Sequence, residues 1–119
     1  MLPICPIWFR FTTAFNQIID NWNVANVTVM SLTFSNSSTF NQSISNWNVA
    51  NVKNMQQMFY RSLFNQPINN WNVSNVTNWE GMFSSESSFN QPISNWNVAN
   101  VTDMSLMFSN SSTFNQSIN

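Results

Sequence analysis

Four carboxylates are the only groups on which acid–base chemistry could rest: Asp20, Glu80, Glu86 and Asp103. General acid–base catalysis needs two proton-handling groups held around one reacting centre. The four acids fall at four different positions of the repeat set out below, so stacking the repeats pairs none of them. The chain has no histidine and one cysteine, Cys5. Zinc sites and Cys/His or Ser/His nucleophile arrangements are therefore excluded. A glycine-rich phosphate loop is also missing. The sequence predicts no catalytic residue, no metal site and no cofactor, and the chain is expected not to be an enzyme.

A second kind of chemistry is carried by aromatics and amides. Trp22, Trp47, Trp71 and Trp96 recur at intervals of 25, 24 and 25 residues, each with an Asn on either side. Exposed, such a row would stack on pyranose faces while the amides bonded sugar hydroxyls. The Trp-x-Val-x-x-Val run that contains each of them equally suits an inward corner, and the core reading is preferred, with partial exposure. Glycosylation sequons occur at Asn26, Asn36, Asn72, Asn75, Asn100 and Asn110, among others. They matter only in a eukaryotic secretory pathway. Asn36 and Asn110, in Ser-rich turns, are the expected acceptors, with the others at packed corners.

Composition bounds the partners. Charged residues make up 6% of the 119, the formal net charge is −1, and polarity comes from Ser, Thr, Gln and 23 Asn. No basic surface for nucleic acid or anionic membrane is implied. No apolar window is long enough to span a bilayer. The beginning, MLPICPIWFRF, is broken by Pro3 and Pro6 and lacks a basic leader, so it is a poor signal peptide. One cysteine allows no internal disulfide. Hydrophobic residues, at 43%, suffice for a core.

The tryptophan interval is the period of the whole chain. Repeats are assigned to 15–39, 40–63 (one residue short, in the turn Tyr60–Leu63), 64–88 and 89–113, and 114–119 begins another. Residues 1–14 are assigned to a degraded half repeat acting as a cap, with Leu2, Cys5, Trp8 and Phe9 matching Val27, Met30, Thr33 and Phe34. A period of this size marks a solenoid of stacked units. Apolar residues form columns: Phe15, Phe40, Phe64, Phe89 and Phe114; Ile19, Ile44, Ile68, Ile93 and Ile118; the tryptophans; two valine columns ending at Val98 and Val101. The last two are Met30, Met55, Trp79 and Met104, then Phe34, Phe59, Phe83 and Phe108. These are the inward-facing positions. One repeat alone buries too little to offset the entropy of ordering its residues, so neighbours must complete it.

Within a repeat the spacing changes. Trp96 and Val98 are two apart, as in an extended segment, whereas Val101, Met104 and Phe108 follow i, i+3, i+7, one face of a helix. Thr77-Asn78-Trp79-Glu80 has the form of a capping box, and Thr28 and Thr102 are candidate N-caps, rivalled by Asn26, Asn51, Asn75 and Asn100. The pattern predicts a strand near Gln91–Ser94, an Asn-rich corner through Asn100, a short helix near Thr102–Phe108 that places Gly81 inside its counterpart, and a Ser-rich turn. Asn columns on both sides of each Trp are expected to stack amide on amide.

The signature F-N-Q-x-I-x-N-W-N-V-x-N-V-T-x-M-x-x-M-F, running from Phe15 to Asn119, resembles the BspA-like leucine-rich-repeat surface proteins of bacteria. The resemblance implies an α/β, right-handed leucine-rich-repeat-like solenoid of about four 25-residue repeats, with short parallel strands on one face and short helices on the other. It further implies cell-surface or secreted location and recognition of, or adhesion to, a protein or glycan. The best reading is thus a non-enzymatic scaffold, a fragment of a longer surface array. A self-assembling structural module with end-to-end association is the alternative, and a glycan- or ice-binding surface of ordered Asn, Ser and Thr rows is the weaker one. Asn21–Ile44 and Asn95–Ile118 differ only at Val29/Asp103 and Thr33/Met107, as recent copying of array segments would leave them.

Overall fold

The computed structural model describes residues 13–117. The half repeat expected over 1–14, with Leu2, Cys5, Trp8 and Phe9, lies outside them apart from Thr13 and Ala14, as does Ile118. Among the described residues there is neither a helix nor a continuous strand. Backbone bridging is limited to three isolated parallel bridges, Val29 with Asn54, Asn54 with Asn78, and Asn78 with Asp103. The expected α/β architecture of strands on one face and helices on the other is therefore not adopted.

What forms instead is a stack of rungs, each a chain of turns. Over Ile19–Ser37 the N–H groups of Trp22, Val27, Thr33, Ser35 and Ser37 donate to the carbonyl three residues back, at 3.0–3.4 Å. The same five bonds recur over 44–62, 68–86 and 93–111. A helix would close its bonds four residues back and keep them within one segment. Here alternate residues bond outward: Met30, Leu32, Phe34 and Asn36 donate to the carbonyls of Asn54, Gln56, Met58 and Tyr60 in the next rung, at 2.8–3.0 Å. Successive turns, like a helix, return a side chain to the same side every three or four residues, which is why the spacing of Val101, Met104 and Phe108 is helix-like without a helix.

The alternation requires left-handed backbone at two positions per rung. Leu32, Gln57, Gly81 and Leu106 form one such column, at φ of 63°, 51°, 61° and 58°; Asn36, Arg61, Ser85 and Asn110 form the other, at 54–58°. Gly81 therefore lies in a turn, at a conformation costing an L-residue roughly 1–2 kcal/mol. Thr77 and Glu80 build no capping box. The Thr77 hydroxyl donates to the Lys53 carbonyl, the Thr102 hydroxyl to that of Thr77, and the Glu80 carboxylate accepts from the Gln56 amide.

The segment expected to be a strand is held by side chains. The Asn41 N–H donates to Asn16 Oδ1 at 2.9 Å, while Gln42 Nε2 donates to the Asn16 carbonyl at 3.2 Å. This clasp repeats from Asn65–Gln66 to Asn41, Asn90–Gln91 to Asn65 and Asn115–Gln116 to Asn90. Pro67 and Pro92 have no N–H to give a backbone ladder here, and the same clasp forms where Ser43 and Ser117 take their place.

Inside the stack, Phe34, Phe59, Phe83 and Phe108 are nearly parallel at centroid distances of 5.5–5.7 Å. The second phenylalanine column interleaves with them at 4.2–4.4 Å. The short repeat leaves this zipper intact. Phe59 and Phe64 are five residues apart, where Phe34 and Phe40 are six, yet both pairs lie at 4.4 Å. Leu63 alone spans the turn that two residues span elsewhere.

Candidate functional site

Three of the four tryptophans of the column are core, and the fourth, Trp22, is half-buried against it. Trp47, Trp71 and Trp96 are buried, and each indole Nε1 donates to an isoleucine carbonyl of the preceding rung, Ile19, Ile44 and Ile68, at 2.9–3.1 Å. With those faces and donors used internally, the described residues present no open aromatic row for a sugar.

The asparagines divide by task. Asn23, Asn48, Asn72 and Asn97 accept from the N–H two residues on, closing a local turn at 3.1–3.2 Å. Asn51, Asn75 and Asn100 reach back with Nδ2 to the carbonyls of Ala25, Ala50 and Ser74 at 2.6–2.8 Å. The expected amide-on-amide stacking beside the tryptophans is replaced by amide-to-backbone bonds. Asn70 donates to the Ser45 carbonyl, and Asn46 donates to Asp20 through both its N–H and Nδ2. The sequon residues Asn26, Asn72, Asn75 and Asn100 are exposed rather than packed; Asn110 is exposed and Asn36 half-buried.

The four acids are dispersed. Asp20 clasps Asn46 as described. Asp103 accepts from the Ser105 hydroxyl at 2.7 Å and the Ser105 N–H at 2.9 Å, which hold its carboxyl below the usual carboxylate range. Glu80 meets Gln56. Glu86 is wholly buried, in a column whose other members are Ser37, Ser62 and Ser111. Its Oε1 accepts from the N–H groups of Ser88 and Phe89 at 2.6 and 2.9 Å, while Oε2 is buried without a partner. Burial pushes this carboxyl up to about 7, against those two N–H groups, which pull it down. Ser62 does the same capping with a neutral hydroxyl. Among the described residues no three acids, cysteines or histidines gather around a metal-sized space.

Exposed chemistry concentrates on one strip, the turn segments 28–36, 53–61, 77–85 and 102–110. Here the backbone repeats while the outward side chains change from rung to rung. One column reads Thr28, Lys53, Thr77, Thr102; another Ser31, Gln56, Glu80, Ser105; a third Tyr60, Ser84 and Ser109, whose counterpart Ser35 in the first rung is buried; a fourth Asn36, Arg61, Ser85, Asn110. Lys53, Tyr60, Arg61 and Glu80 thus fall on two adjacent rungs, and the Arg61 guanidinium lies 5.2 Å from the Tyr60 ring centroid. Sequence reasoning passed over this strip, although its signal was available: charge and tyrosine interrupt columns that are otherwise Ser, Thr and Asn.

The profile of a family described as Mycoplasma protein of unknown function, DUF285, matches residues 7–63 and 60–119. The chain belongs to the DUF285 family. No curated protein and no solved structure matches this DUF285 chain. The two matched segments meet at 60–63, the shortened turn of this DUF285 repeat array.

Proposed function

We propose that this chain is a non-catalytic recognition scaffold whose binding face is the variable turn strip. The observation that carries the reading is the division of labour within each rung. Inward columns are nearly constant, the amides fix the backbone, and the outward positions of the strip alone collect Lys53, Tyr60, Arg61 and Glu80. A rigid frame carrying a changeable surface is the usual arrangement in repeat proteins that bind. Tyrosine and arginine are favoured contact residues, because they bring area and directional bonds at small entropic cost. The finer resemblance to BspA-like surface repeat proteins supports a partner met at the cell surface, a protein or a glycan.

The test uses a variant in which the strip takes the residues found elsewhere in its own columns: Lys53→Thr, Gln56→Ser, Tyr60→Ser, Arg61→Asn and Glu80→Ser. Arrays of glycans and of extracellular-matrix proteins are probed with both chains. Retention by the original chain, lost in a variant of unchanged melting temperature, supports the proposal. Equal retention by both, or retention by neither, overturns it.

A further inference from the structure

The shortened turn falls on the rung that carries Lys53, Tyr60 and Arg61. Between its two inward phenylalanines this rung spends four residues, Tyr60–Leu63, where the rungs on either side spend five, 35–39 and 84–88. The anchors of the three turns are equally spaced. Phe34 and Phe40, Phe59 and Phe64, and Phe83 and Phe89 lie at 4.4, 4.4 and 4.2 Å. A chain that closes the same gap with one residue less has about 3.5 Å less contour. The middle turn therefore rises less far from the stack than its neighbours and leaves a step one rung wide. The walls of the step are the turns 38–39 and 87–88, all Ser and Thr. Their rungs stand 5.6 and 5.7 Å from the middle one, measured between phenylalanine rings.

The short turn carries side chains unlike those of its neighbours. Leu63, where Thr39, Ser88 and Thr113 stand in other rungs, is 43% exposed. Arg61 is exposed, and its guanidinium lies over the Tyr60 ring. Of the chain's three cations, Lys53 and Arg61 are the two among the described residues. Both are on this rung, and neither forms an ion pair with a described residue. The acids are engaged elsewhere: Glu80 accepts from Gln56, Asp20 from Asn46 and Asp103 from Ser105, while Glu86 is buried.

We propose that this step is the anchor point of the binding face and takes a protein segment in which a carboxylate lies beside an apolar side chain. The inference rests on the recognition reading and narrows its partner. Charge complementarity calls for the carboxylate, because two cations without counter-ions share the rung. A guanidinium already held against a ring meets a carboxylate through two parallel bonds at small entropic cost. Leu63 calls for the apolar neighbour. Sugar hydroxyls placed against it would lose water and gain no bond. The step is one rung wide and admits a side chain rather than a broad surface.

The probes are short immobilised peptides in three sets: Glu interleaved with Leu and Phe, Glu interleaved with Ser, and Lys interleaved with Leu and Phe. An array of neutral and carboxylated glycans is probed beside them. The first set should retain the unmodified chain at least about tenfold more strongly than the others, the contribution of one anchoring residue. Arg61→Asn takes the residue of Asn36 and Asn110 at the same left-handed position and should remove the preference for Glu. Leu63→Thr takes that of Thr39 and Thr113 and should remove the preference for Leu and Phe. A serine inserted after Ser62 keeps every side chain and gives the turn its neighbours' length. With melting temperature unchanged, retention should still fall at least about tenfold. If the insertion lowers the melting temperature, the two substitutions, at exposed positions, decide alone. Preferences unchanged by either substitution, or retention unchanged by the insertion, would overturn the proposal. Retention of glycans or of the other peptide sets alone, lost in the strip variant, would overturn it and leave the recognition reading in place. Retention of nothing would overturn both.

Discussion

Met55 and Met104 occupy the same position in two rungs, as do Val49 and Val98. Met55 is wholly buried and Met104 is 45% exposed; Val49 is 1% exposed and Val98 42%. Residue type, local turn and backbone bonding within the rung are the same in both. What differs among the described residues is the rung above, present over Met55 and not described over Met104. A column residue is therefore made into core by the neighbouring rung rather than by its own, and stability should behave as a sum of nearest-neighbour interfaces.

The strongest way to break that comparison is to empty an interior interface. Trp71→Ala opens a cavity and leaves the Ile44 carbonyl without its indole donor, and should cost about 3–5 kcal/mol by denaturant melting. Met55→Ala should cost about 2–5 kcal/mol and Met104→Ala, already half in solvent, less than about 1 kcal/mol. Equal losses for the two methionines would refute neighbour-dependent burial.

A charge sharpens the comparison within one column. The unfolded chain releases the Glu86 proton near 4.5, whereas the folded chain keeps it to about 7. Between those values the folded state binds more protons, so stability is greatest at low pH and falls as pH rises through that window. The fall should amount to about 3 kcal/mol. Glu86→Ser, which restores the residue of Ser62 and Ser111, should flatten the curve. A pH profile unchanged by that substitution would remove Glu86 as its source.

Backbone handedness gives a smaller effect. Gln57→Gly should stabilise by about 0.5–1 kcal/mol, since glycine accepts the φ of 51° without strain. Gly81→Ala should destabilise, because the new Cβ would meet Gln57 Cγ at 3.2 Å on a left-handed backbone. The smallest contrast is in the clasp. Asn41→Ala removes the acceptor of the Asn65 N–H and should cost about 1 kcal/mol. The same change at Asn115, where no described rung follows, should lie within measurement error.

Much of this was legible in the residues themselves. The phenylalanine, tryptophan and valine columns read directly as inward positions, because identical stacked environments select identical side chains. The elements were misread for a physical reason. A run of i→i−3 turns and an α-helix bring the same residues to one side, and apolar spacing reports only that side. Backbone handedness would have separated them, but of the four residues in the first left-handed column, only Gly81 advertises it; Leu32, Gln57 and Leu106 are ordinary helix formers. The asparagines hid their tasks likewise, since composition does not distinguish an amide that accepts from one that donates. Glu86 reads in the sequence as one of four scattered surface acids; its place in a column of serines and its burial are shown by the structure.

That split among the asparagines has a bearing on how the molecule ages. Hydrolysis of an Asn amide to a carboxylate keeps the Oδ1 acceptor and destroys the Nδ2 donor. Where the side chain accepts, the chain already carries the hydrolysed form: Asp103 closes the turn that Asn54 and Asn78 close, and Asp20 holds Asn46 as Asn69 holds Asn95. At Asn51, Asn75 and Asn100 the amide donates to a carbonyl one rung away, and a carboxylate there would face that carbonyl with like partial charge. Chemical wear of one kind would thus leave some columns intact and pry apart the rungs at others.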